Sequence, residues 1–180
     1  MASDQAVTTR PMEALLDVMS RLRDPERGCP WDLRQDFHSI VAYTVEETYE
    51  LVDAIETGDF DEIREELGDV LFQVVFYAQL AAEQNRFDFD AVVNGIATKL
   101  IRRHPHVFGS EEEATASEAE VKENWERLKR AEREQKKRSA ILDDVPRALP
   151  SLSRAQKLQK RAAQVGFDWL NAEGVWAKID

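Results

Sequence analysis

The stretch LGDVLFQVVFYAQLAA, Leu67 to Ala82, decides how this chain folds. At helical spacing Leu71, Phe72, Val75 and Phe76 lie on one face, opposite Val70, Val74 and Tyr77. A helix that is apolar on two sides needs burial on two sides. In a chain of 180 residues that means a central position or a subunit interface, and we read it as an interface. Asp59 or Asp61 caps this helix, which runs for about 22 residues through Gln84.

Outward from there, nearly every long segment has helical period, and no convincing strand pair is present. A first helix covers Glu13 to Leu22, followed by the Pro- and Gly-punctuated loop DPERGCPWD. A second spans Ile40 to Glu56 and stops at Thr57-Gly58, with Gly58 as its C-terminal cap. A fourth runs from Asp88 to Arg103 and ends at His104-Pro105. Ser117 and Glu120 form a capping box opening a fifth, AEVKENWERLKRAEREQKKR, whose later turns are highly charged. The proline-broken SAILDDVPRALPSL reads as a connector, and a last helix covers Ser153 to Val165, ahead of Gly166 and a short tail.

Composition bounds the function. A hydrophobic fraction of 43% supplies a core, and a charged fraction of 33% suits a soluble, helix-rich surface. The net charge of −11 argues against binding a nucleic-acid polymer, which needs clustered cations. An anionic substrate is compatible with it once a divalent metal reverses the local charge. Cys29 is the only cysteine, which excludes an intramolecular disulfide and a Cys-rich zinc site. With no signal-type apolar run and no membrane-length segment, the expected location is cytoplasmic, with no membrane partner.

Within VEETYELVDAI, Val45 to Ile55, the residues Glu46, Glu47, Glu50 and Asp53 share an arc of about 120°. On the next helix Glu62, Glu66 and Asp69 make a second stripe beside the apolar arc, extended by Gln73. The short Gly58 turn makes the two helices antiparallel neighbours, so Glu47-x-x-Glu50 and Glu66-x-x-Asp69 face each other across a seam. Like charges meeting there are frustrated without a cation, and hard oxygen donors select Mg²⁺ or Mn²⁺. Spacing alone leaves two accounts open, a metal cage or four solvated carboxylates. A di-iron bundle is disfavoured, because none of His38, His104 or His106 follows a Glu by three residues.

The cationic run Lys99-Leu100-Ile101-Arg102-Arg103 has two accounts as well. It is either favourable charge at a helix C-terminus or a phosphate clamp. Trp125 and Lys129 form a further i,i+4 pair, with Trp125 either core or a platform for a base. Cys29, Pro30 and Trp31 read as a loop lock rather than as chemistry.

Together, CPWD (Cys29–Asp32), EETYEL (Glu46–Leu51), EELGDVLFQVVF (Glu65–Phe76), KLIRRHPHVFG (Lys99–Gly109) and NWERLKRAE (Asn124–Glu132) resemble the MazG family of nucleoside triphosphate pyrophosphohydrolases. The resemblance implies an all-α helical bundle completed by homodimerisation. It implies hydrolysis of a nucleoside triphosphate to its monophosphate and pyrophosphate, as house-cleaning of nucleotides. On the matching positions Glu47, Glu50, Glu66 and Asp69 become Mg²⁺ ligands, with Mn²⁺ the alternative ion, and Glu46, Glu47 and Glu50 the catalytic carboxylates. Lys99, Arg102, Arg103, Trp125 and Lys129 become substrate contacts. Many members follow CPWD with Gln-Thr-His; here His38 comes one residue late, so no role carries over to it. Asp53 shares the acidic face but lies outside the family signature.

This organises the chain as a pyrophosphohydrolase domain over residues 12–138 and, over 139–180, a connector and the lead-in of a second such domain. In two-domain members the second half is credited with catalysis and the first with a structural or regulatory role. The alternative function is therefore a catalytically silent nucleotide- and metal-binding or dimerisation module.

Overall fold

Gly58 and Asp59 set the main helix pairing. Gly58 ends α2 (Val41–Thr57) in the left-handed region at φ 77°, its N–H donating to the Ala54 carbonyl at 3.0 Å. A β-carbon is strained at that φ, so glycine closes the helix at least cost. Asp59 then opens α3 (Phe60–Glu83), its carboxylate accepting from the N–H groups of Asp61 at 2.9 Å and Glu62 at 3.4 Å. Two orphan donors are satisfied by one side chain, which fixes where α3 starts.

The computed structural model describes residues 10–109, 117–135, 142–143, 145–169, 171–176 and 178, and among them it is helical with no strand. The remaining helices are α1 (Pro11–Leu22), α4 (Phe89–Arg103), α5 (Pro105–Phe108), α6 (Glu118–Gln135), α7 (Ser151–Ala163) and α8 (Ala172–Trp176). The all-α expectation holds, and Gly58 and Ser117 cap as read from the sequence, Ser117 N–H and hydroxyl both bonding Glu120 at 2.7 Å. The short α5 and α8 and a 3₁₀ turn at Asp32–Arg34 are additions. Residues 136–138, expected at the end of the fifth helix, lie outside the described residues.

The chain divides into two compact units, Met1–Lys99 and Leu100–Asp180, with the division inside α4. In the first, α3 packs against α2 and α1 around Met19, Ile40, Val75, Phe76 and Leu80. Burying each such side chain contributes about 1.5–3 kcal/mol. The two apolar sides of α3 fare differently. Val75 and Phe76 are buried to 1% exposure, while Val74 retains 39% and Leu67 52%.

Arg23 locks the loop after α1. Its side chain is 7% exposed and donates through Nε and Nη2 to Glu83 at 2.7 and 2.6 Å. Nη1 donates to the carbonyls of Asp32 and Gln35, and the guanidinium lies 5.5 Å from the centre of the Phe76 ring. Gly28 permits the turn, because a β-carbon there would stand 2.5 Å from the carbonyl oxygens of Leu22 and Asp24. Trp31 then meets the Tyr43 ring edge-on at 5.6 Å, and the Cys29 N–H donates to the Leu22 carbonyl at 2.8 Å, so the CPWD segment is held near both ends.

The second unit is tied at the end of α4. Arg102 and Arg103 both bond Glu132 of α6, and Gln164, just after α7, donates to Glu126 at 3.4 Å.

Candidate functional site

The α2–α3 pairing brings carboxylates together. One oxygen each from Glu47, Glu66 and Asp69 lies within 4.8 Å of the others. Glu47 and Glu66 are half-buried and Asp69 is exposed, so the cluster sits at the rim of the first unit. Burial is the main cause that pushes the Glu47 carboxyl above its ordinary range, followed by its hydrogen bond with Glu50 and repulsion from Asp69, Glu50 and Glu66. Glu66 is raised by desolvation first, then by repulsion from Glu50, Asp69, Glu65 and Glu62. Glu50 therefore acts on both helices' carboxylates, although it stands outside the closest three.

Such an arrangement disfavours its own negative charges, and a divalent cation with oxygen preference relieves it. Glu47, Glu66 and Asp69 are a candidate metal-binding triad. Glu46 and Asp53 are exposed on α2 and are not among the three. Gln73, which extends the acidic stripe in sequence, is instead buried at 7% exposure, beside Thr44 at 3.4 Å. Thr44 also contacts the Tyr77 hydroxyl at 2.9 Å, so its hydroxyl ties α2 to α3 through two residues. His38 is exposed, with its backbone N–H donating to Asp36 Oδ1 at 2.8 Å.

Lys99 is exposed near the end of α4 and is the last residue of the first unit. In the second unit Arg103 bonds Glu132 with two nitrogens, Nε at 3.2 Å and Nη2 at 2.5 Å, and Arg102 Nη2 reaches the same carboxylate at 2.5 Å. These bonds hold the Glu132 carboxyl down to about 2, with the Arg103 hydrogen bond the largest cause. The Arg103 guanidinium lies over Trp125, 5.3 Å from the ring centre, and His104 meets the same ring edge-on at 5.2 Å. Trp125 thus contacts both an arginine and a histidine. Lys129 belongs to α6, but its side chain lies outside the described residues.

The profile of the MazG nucleotide pyrophosphohydrolase domain matches residues 35–108. The nucleoside triphosphate pyrophosphohydrolase of Escherichia coli is 55% identical over 168 residues, 93% of this chain and 63% of that protein. The nucleoside triphosphate pyrophosphohydrolase/pyrophosphatase MazG of Thermotoga maritima is 45% identical over the same shares. The chain belongs to the MazG family.

A solved structure agrees with the fold of this MazG chain. The crystal structure of a mazG-related protein from Thermotoga maritima aligns with a TM-score of 0.55 at 25% identity, over 66% of this chain and 98% of that one. The MazG chain spans 63% of the length of the two longer relatives. No helix among its described residues is long and apolar enough to cross a membrane.

Two residues of the MazG chain escaped the sequence reading. Arg23 gave no local signal, since its partner Glu83 is 60 residues away. Glu132 lies two helical turns after Trp125, a spacing that places both on one face of α6 and was available to be read.

Proposed function

We propose that this chain hydrolyses a nucleoside triphosphate to its monophosphate and pyrophosphate, with Mg²⁺ as cofactor and Mn²⁺ as a substitute. The observation that carries this reading is the meeting of Glu47, Glu66 and Asp69 within 4.8 Å. Three hard oxygen donors, two of them with carboxyls raised by burial and mutual repulsion, suit a small divalent cation.

In this proposal Glu47, Glu50, Glu66 and Asp69 hold the ion. When bound, it polarises phosphate oxygens and makes water more acidic at neutral pH. Glu46, Glu47 and Glu50 supply carboxylates that orient the attacking water and take its proton at a carboxylate oxygen. Lys99, Arg102 and Arg103 stabilise the charge that develops on the departing pyrophosphate, while Trp125 and Lys129 contact the nucleotide. We assign this work to residues 12–138, and its role to clearing surplus or non-standard nucleotides in the cytoplasm. A homodimer completes the bundle. Val41, Val45, Tyr49 and Val52 repeat at helical spacing along α2 and are each 48–56% exposed, which supports a second copy covering them.

A second reading, a module that binds nucleotide and metal without turnover, has one observation in its favour. Both arginines already pair with Glu132. The experiment that separates the two is pyrophosphate release across natural and damaged triphosphates, with and without EDTA. Hydrolysis predicts release that EDTA and Glu50→Gln abolish. Binding by calorimetry with no release from any triphosphate would establish the silent module instead.

A further inference from the structure

One carboxylate in the second unit serves two arginines, and its geometry is selective. Glu132 engages Arg103 through Nε and Nη2, the side edge of the guanidinium, while the central carbon of that group lies over the Trp125 ring, 5.3 Å from its centre. Arg103 is 11% exposed and Glu132 18%, so water screens this pair weakly. A guanidinium carries five N–H donors, and the two bonds to Glu132 leave three of them for another acceptor.

We propose that Glu132 is a positioning residue for nucleotide binding: its two-point bond presses the Arg103 guanidinium against Trp125 and orients it for a phosphate group. This rests on the reading of Arg103 as a phosphate contact. An unrestrained arginine loses its rotamer freedom when it grips a ligand, and an ion pair that fixes it beforehand removes that loss. Two arginines against one carboxylate also leave the cluster cationic, so it still attracts phosphate. The depressed Glu132 carboxyl keeps this arrangement intact throughout the neutral range. A carboxylate that merely competed with substrate would have the opposite effect on affinity.

The test measures binding of the α,β-methylene analogues of ATP, GTP, CTP and UTP to the full chain with Mg²⁺, by calorimetry. Glu132→Gln is expected to weaken the tightest of these by about tenfold, the scale of one lost charge-assisted contact. Arg103→Ala is expected to weaken it at least as much, and Glu132→Gln in that background to add less than about twofold, because its effect runs through Arg103. Glu132→Asp, which keeps the charge but shortens the reach, is expected to bind with intermediate affinity, and provides a second variant if Gln compromises folding. Unchanged or tighter binding by Glu132→Gln overturns the proposal, as does an equal loss with and without Arg103. Failure of the wild type to bind any analogue overturns it too. Wild-type binding without pyrophosphate release from the natural triphosphates removes the hydrolase reading alone and leaves the positioning role standing.

Discussion

Arg23 and Glu83, 60 residues apart, form a two-point ion pair at 2.6 and 2.7 Å that closes the loop after α1 onto the end of α3. The same guanidinium satisfies two loop carbonyls and covers Phe76, so one side chain ties the end of α1 to the CPWD loop and to α3.

Replacing Arg23 by Ala leaves the Asp32 and Gln35 carbonyls and the Glu83 carboxylate without this donor. We expect a loss of about 2–4 kcal/mol, read as a lower urea midpoint with unchanged slope. The pair also sets an acid limit. The Arg23 hydrogen bond lowers the Glu83 carboxyl below its ordinary 4.5, so its contribution is complete above about pH 4.5 and is lost as pH falls through the depressed value. Urea midpoints measured from pH 7 down to 3 should fall less steeply in Glu83→Gln than in the wild type.

At the carboxylate seam the expectation has the opposite sign. Glu47 is disfavoured by burial and by its acidic neighbours, so Glu47→Gln should not lower the melting temperature in EDTA. It should abolish most of the rise that millimolar Mg²⁺ produces in the wild type, since stabilisation by a ligand follows its affinity for the folded state. Thermal melts of both proteins with and without Mg²⁺ check this. An undiminished Mg²⁺ effect in the variant would remove Glu47 from the metal site.

Two glycines distinguish strain from collision. A β-carbon at Gly58 meets nothing within 4 Å, and only the φ of 77° opposes it, so Gly58→Ala should cost about 1 kcal/mol. At Gly28 a β-carbon meets backbone oxygens at 2.5 Å, which cannot rotate away. Gly28→Ala should cost more than about 2 kcal/mol. Urea midpoints of the two variants should rank accordingly, and the reverse order would contradict the loop geometry.

The elements of this fold were legible because their determinants are local. Gly58, Asp59 and the Ser117–Glu120 box act within one turn of their own helices, and the ends they mark agree with the structure to within a residue or two. The acidic stripes were legible for the same reason: helical spacing fixes which side chains share a face. The turn at α5 escaped because only four residues form it, too few for a period to show.

What no spacing could supply is which face meets which. Gln73 belongs to the acidic stripe by angle, yet tertiary packing buries it beside Thr44 and leaves Asp69 outward with Glu47 and Glu66. Arg102 and Arg103 read as helix-end charge or a phosphate clamp, with no partner legible, yet Glu132, 29 residues beyond Arg103, already holds both. The sequence by itself determined the long helices, the caps at Gly58, Asp59 and Ser117, the two acidic pairs and the family. Only the tertiary structure decided which carboxylates converge and which charges are already paired, because those depend on distances between helices remote in the chain.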